Sequence, residues 1–184
     1  MELWYSIKYF FHRVYRLGLK QEKWTTLVWN DLKKMHLESK WDSGIHEKTK
    51  SIQTPFAINS EMRVYFFYHV DDDFVHCRVK LLEDYDVSMS SEIFILASHL
   101  NNILRKGKVR VNPGDQFVEY VVQLPLIIPL LYFGEVNQEM IAHYNTSKDL
   151  IAAFQRLVFE GESPAIIVAD LIKESESKKD NEKS

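Results

Sequence analysis

The sequence predicts an α+β fold: an antiparallel sheet with elements in the order helix, three strands, helix, two strands, helix. Three observations carry this expectation. The chain has 184 residues and is 46% hydrophobic and 27% charged, so it can bury a core without covalent staples. Arg63–Val70 and Phe74–Leu82 are dense in Val, Phe and Tyr and flank an acidic tight turn, the pattern of a hairpin. Around these strands, apolar residues recur at steps of three and four, the period of a helix face.

The first helical stretch is Leu3–Lys20, where Trp4, Ile7, Phe11 and Val14 share one stripe and Lys8, Arg13, Arg16 and Lys20 fall mostly off it. A second runs over Lys23–Leu37 with Trp24, Leu27, Val28, Leu32 and Met35 on a less regular face, so residues 1–37 read as an N-terminal helical segment. Glu38–Lys50 is polar and reads as a loop. Ile52–Ile58 is a short strand. In the hairpin that follows, Asp71-Asp72 forms the turn and Val70 pairs with Asp73. That register gathers Val64, Phe66, Tyr68, Val75, Cys77 and Val79 on a core face. The opposite face carries His69, His76, Arg78 and Lys80 with the aromatics Tyr65, Phe67 and Phe74.

Ser88–Ser91 can cap a helix over Glu92–Lys106, and Gly107 ends it. A second hairpin joins Lys108–Val111 to Gln116–Leu124 through Asn112-Pro113-Gly114-Asp115, with the glycine suited to a left-handed position. Thr146-Ser147-Lys148-Asp149 has the look of a capping box opening the last helix, whose apolar face is Leu150, Ile151, Phe154, Leu157 and Val158. Gly161 breaks it and Ser163-Pro164 restarts a short helix. One domain is therefore expected over 1–172, with 173–184 a charged, flexible tail.

Net charge −3 and a pI near 6.2 argue against a dedicated nucleic-acid binder, because phosphate contacts need a basic surface. A single cysteine, Cys77, allows no internal disulfide. The N-terminus has no basic run before an apolar stretch, and Leu124–Phe133, the longest apolar run, is about half a membrane span. A cytoplasmic protein is expected.

The C-terminal half resembles the YbjN-like family at residue level. The matching positions are Leu100-Asn101-Asn102, Gly107-Lys108-Val109, Pro113-Gly114-Asp115, Tyr120, Val136 to Ile141, and Gly161 to Ala165. That family comprises bacterial sensory-transduction regulators with a type III secretion chaperone-like fold. The resemblance implies such a fold and a non-catalytic, chaperone-like or regulatory adaptor role, and it carries no catalytic residue. This chain departs from the family in the apolar Leu124–Leu131 segment and in longer, more aromatic N-terminal helices.

Read for chemistry, the residues assemble no site. His69 and His76 share a face, but Cys77 points to the other, short of the three or four converging ligands zinc needs. The acidic residues Asp71, Asp72, Asp73, Glu83, Asp84 and Asp86 lack calcium-loop spacing. No glycine-rich phosphate loop is present. The chain is expected to need no cofactor or metal and not to be an enzyme.

Two surfaces remain. For a protein or peptide partner, or a homodimer, the candidates are the outward aromatics Tyr65, Phe67 and Phe74 and the apolar patch Leu126, Ile127, Ile128, Leu130 and Leu131. Two prolines bar that patch from being a normal central strand. For peripheral contact with a membrane, the candidates are Trp4, Lys8, Phe11, Arg13, Arg16 and Lys20 of the first helix. The simpler expectation for that helix is an apolar stripe packed on the sheet with its cations in water.

Overall fold

A computed structural model describes the backbone of residues 2–58 and 62–181, and the side chains of residues 10–58, 62–132, 134–174, 176 and 177. Among the described residues six α-helices are present: α1 (Glu2–Leu17), α2 (Gln21–Glu38), α3 (Ser90–Ile103), α4 (Ile127–Leu131), α5 (Phe133–Phe159) and α6 (Pro164–Asn181). The strands are β1 (Gly44–His46), β2 (Ser51–Ala57), β3 (Arg63–Val70), β4 (Phe74–Glu83), β5 (Lys108–Asn112) and β6 (Phe117–Pro125). They form an antiparallel sheet in the order β1-β2-β3-β4-β6-β5. The α+β class expected from the sequence is therefore present. The chain divides into two compact units, Met1–Cys77 with Gln123–Ala142, and Arg78–Val122 with His143–Ser184.

In the first unit the alternation read from the sequence holds. Phe66, Tyr68 and Val70 of β3 and Val75 and Cys77 of β4 are buried, while their sequence neighbours are exposed or half-buried. The turn sits one residue later than expected. The Asp71 N–H donates to the Phe74 carbonyl, so the tip is Asp72-Asp73. Asp71 builds that tip itself, its carboxylate accepting from the N–H groups of Asp73 (2.9 Å) and Phe74 (2.7 Å). The three-residue β1 lies inside the stretch read as a loop and pairs with β2.

The apolar run after β6 becomes α4, a helix of five residues with Pro129 in its middle. Its inward groups, Leu126, Pro129 and Leu130, are buried with Leu124, and the Leu126 N–H donates to the Asp73 carbonyl at 2.8 Å. Two of the five residues of the expected contact patch, Leu126 and Leu130, are thus consumed in packing. Ile127, Ile128 and Leu131 are half-buried.

In the second unit the turn after β5 also differs. Asn112 Oδ1 accepts from the N–H groups of Gly114 (3.1 Å) and Asp115 (3.2 Å), and the left-handed residue is Gln116 rather than Gly114. The capping box at Thr146 is overruled, because α5 runs unbroken for 27 residues from Phe133. Its burial recurs at Val136, Met140, His143, Ser147, Leu150 or Ile151, Phe154 and Leu157, one helical period that passes straight through Thr146. Ser147 Oγ donates to the His143 carbonyl one turn back, at 2.6 Å, instead of capping. The stretch from Lys173, expected as a tail, is helical as far as Asn181, and Glu182–Ser184 lie outside the described residues. Its Glu and Lys residues extend a helix that is already nucleated.

Among the glycines of the second unit, Gly107 is the one with least room for a side chain. Its φ is +72°, and a Cβ there would lie 2.7 Å from Tyr120 Cε2 and from the Val121 carbonyl oxygen. The adjoining Lys106 carbonyl accepts from the Tyr120 hydroxyl at 2.9 Å, which draws the two segments together. Gly107→Ala is expected to lower stability by about 2–4 kcal/mol, from left-handed strain plus overpacking. Gly134→Ala, in open space, is the matched control and is expected to be near neutral in the same urea titration.

Candidate functional site

All of the features that follow, down to the histidine cluster, belong to the first unit. From Phe10 to Leu17, helix α1 carries its arginines and its apolar residues on different sides, as the sequence implies, but it presents them the opposite way round. Arg16 is half-buried. Its guanidinium donates to Asp31 Oδ2 of α2 at 2.7 Å and to the Leu130 carbonyl at 3.1 Å. Arg13 Nε donates to the Leu131 carbonyl at 3.1 Å, and its guanidinium lies 4.2 Å from the centre of the Tyr132 ring. The last carbonyls of a helix have no partner of their own and sit at the negative end of its dipole. Two arginines from α1 therefore close the end of α4.

The price is exposure of the other face. Phe10 is 61% exposed, Phe11 65%, Val14 49%, Tyr15 67% and Leu17 47%. Phe10 and Phe11 meet only edge to face, with ring centres 5.8 Å apart. Phe11 and Val14 belong to the stripe expected to pack on the sheet, and they do not. The side chains of Trp4 and Lys8 lie outside the described residues. Arg13 and Arg16 are spent on α4, and Lys20 is exposed. Behind α1, a groove of about 560 Å³ runs past His12, Arg13, Lys34, Met35 and Tyr132.

The outward aromatics of the hairpin are less prominent than expected. Tyr65 is 57% exposed and stands opposite Pro55 of β2, whereas Phe67 and Phe74 are half-buried. They form no continuous patch with Leu126 and Leu130, which are buried.

The histidines are held by neighbours of their own. His76 Nε2 is 2.5 Å from Asp71 Oδ2 and its Nδ1 is 3.2 Å from Gln123 Nε2. Gln123 can only donate there, so Nε2 carries the proton and donates to Asp71. Against the cost of its partial burial, the N–H groups of Asp73 and Phe74, and then His76, hold the Asp71 carboxyl below the usual carboxylate range. His69 Nδ1 donates to the Thr49 carbonyl at 2.8 Å. Cys77 is buried, and burial followed by the nearby charge of Glu139 pushes its thiol up to about 12, so it is not a nucleophile at neutral pH. Among the described residues no three His, Cys, Asp or Glu side chains converge to hold a metal.

One polar cluster escaped the sequence reading. His36 Nδ1 lies 3.1 Å from Ser43 Oγ and 3.2 Å from Thr54 Oγ1, and the two hydroxyls are 2.8 Å apart. A serine beside a histidine suggests nucleophile activation, which also needs a third group to orient the base. Here His36 Nε2 has no hydrogen-bond partner, and the ring is packed against Trp41 (4.9 Å) and Tyr68 (5.4 Å). Burial lowers His36 to about 4, so it stays neutral. The cluster ties α2 to the start of β1 and to β2. Nothing in the spacing of residues 36, 43 and 54 signals it.

No family model, curated protein or solved structure matches the chain.

Two predictions follow from these geometries. His36 in the first unit and His143 in the second are both lowered by burial to about 4. The unfolded chain, with ordinary histidines, therefore takes up protons first as pH falls. Stability is complete above about pH 6.5 and is lost towards pH 4, by up to roughly 3 kcal/mol per histidine. Urea midpoints at about pH 7 and about pH 5 measure this, and His36→Gln/His143→Gln flattens the difference even if it is less stable at neutral pH. Arg16→Ala removes an ion pair and a carbonyl cap at once. It is expected to cost about 1–3 kcal/mol in the docking of α1, read as faster amide hydrogen exchange over α1 and α4 with little change in β3.

Proposed function

We propose that this chain is a non-catalytic binding module, a regulatory adaptor of the kind its YbjN-like resemblance implies, and that α1 is the element through which it docks. The observation that carries this reading is the outward apolar face of α1. Five large side chains in a row along one helix, each about half exposed or more, form a patch of the kind that marks a contact surface.

The sheet edges support docking by a face rather than by main-chain pairing. Strand β1 offers only three residues. At the other edge, in the second unit, the Asn101 side chain accepts from the Val109 N–H at 2.7 Å and donates to the Val109 carbonyl at 3.0 Å. Those are two of the bonds an added strand would make, so the edge is already capped at Val109. The burial of Leu126 and Leu130 moves weight away from the α4 segment in the same way. The insulated Cys77 and the unoriented His36 favour binding over chemistry.

Site-specific photo-crosslinking in host cells tests the reading. A photoreactive residue in place of Phe11 is expected to give a high-yield adduct, lipid or protein, that the same residue in place of exposed Lys48 does not. An α1 that crosslinks to nothing, or no better than position 48, removes the proposal.

A further inference from the structure

We infer that the groove behind α1 is a binding site for a small amphipathic monocarboxylate, a molecule of the medium-chain fatty-acid class, with Arg13 holding its carboxylate. The site goes beyond the docking role of α1, since it uses the arginine side of that helix and not the apolar face.

Arg13 is prepared for such a group. It lines the groove, its Nε donates to the Leu131 carbonyl at 3.1 Å, and its guanidinium lies 4.2 Å from the centre of the Tyr132 ring. Those two contacts fix the plane of the guanidinium. Its two Nη groups have no hydrogen-bond partner among the described residues. A guanidinium presents its donors in a planar fork that fits the two oxygens of a carboxylate. A fork already held in place loses little freedom on binding. The start of α5 adds a second favourable pole. Gly134, in its first turn, lines the same groove, and a Cβ there would meet nothing within 4 Å. The first N–H groups of a helix lack partners within it and sit at the positive end of its dipole.

The charges lining the groove leave one cation over. Arg16 is paired with Asp31 at 2.7 Å, and Lys34 stands 3.7 Å from Glu38 at the exposed rim. Of the arginines and lysines in the lining, Arg13 alone has no ion pair among the described residues. The Leu130 and Leu131 carbonyls, which would repel an anion, are already taken by the two arginines. One negative charge therefore balances the groove, whereas a cation finds no unpaired carboxylate in its lining. The walls supply the rest of the match. Met35 and Leu131 are half-buried and Tyr132 is 40% exposed, so each offers apolar surface to the groove. Methionine adapts its shape to what it contacts. A volume of about 560 Å³ falls within the range of small-molecule sites, which combine apolar walls with a few placed polar groups.

Isothermal titration calorimetry of the full chain with decanoate, decanol and acetate tests the inference. Decanoate is expected to bind at one site, about 10-fold tighter or more than decanol, which lacks the charge, and than acetate, which lacks the chain. Arg13→Lys keeps the charge but removes the fork, and is expected to weaken decanoate binding about 10-fold. Met35→Glu sets a carboxylate in the wall without touching the hold of α1 on α4, and is expected to abolish binding. It keeps the test decisive should Arg13→Lys loosen α1. Decanoate is also expected to slow amide hydrogen exchange over α1, because the bound molecule bridges α1, α2 and the start of α5. No saturable binding of decanoate up to about 1 mM, equal affinity for decanol, or undiminished binding by either variant overturns the inference. Tighter binding of decyl phosphate than of decanoate overturns it too, by moving the head group to phosphate. None of these outcomes bears on the crosslink at Phe11, so the docking reading stands or falls separately.

Discussion

Two guanidinium groups held by the carbonyl end of a five-residue helix decide which way α1 faces. Helix α4 is too short to satisfy its own ends, and its last carbonyls look for donors. Arg13 and Arg16 supply them, with Asp31 neutralising Arg16. A half-buried arginine bonded to carbonyls and a carboxylate is costly to pull away, since the carbonyls and the carboxylate would all lose a charged partner. Burying the aromatic face of α1 instead would require leaving those groups unmet. The polar requirement wins, and the apolar side is left in water.

Elsewhere in the first unit polar groups are also satisfied locally, both inside and at the surface. His36, Ser43 and Thr54 share one another's hydrogen bonds, and Asp71 folds its turn around its own carboxylate. Such clusters fix where the chain must pass, because a buried polar group released from its partner costs more than a typical packing contact returns. Burial keeps His36 here and His143 in the second unit neutral, so acid is the condition under which each unit is expected to loosen first.

Much of the fold was legible because the sheet's burial follows a period of two. Alternation in β3 and β4 assigned Val64, Phe66, Tyr68, Val75, Cys77 and Val79 to the core; all but the half-buried Val64 are buried, and the register offset at the turn did no harm to the faces. What failed were local signals that compete with longer ones. Thr146 to Asp149 spells a cap, yet the apolar period from Val136 to Leu157 runs through it, and a continuous buried face outweighs one hydroxyl. Pro125 and Pro129 argued against a normal central strand through the Leu124–Phe133 run, and β6 does end at Pro125, but nothing in the run itself signalled a short buried helix. The site was half legible. Trp4 to Val14 was recognised as an amphipathic stripe with cations beside it, but its direction was not, because that depends on the partners of Arg13 and Arg16, more than a hundred residues away in the chain.

The amide of Asn101 has a consequence for the lifetime of the protein. It closes the β5 edge by presenting one donor and one acceptor to Val109, in the places where a neighbouring strand would present its own. Deamidation would replace the donor with a second carboxylate oxygen, which would then face the Val109 carbonyl oxygen. The edge would open to strand pairing between molecules with no change in the sequence of the gene. Closure of the edge at Val109 thus hangs on a single side-chain nitrogen.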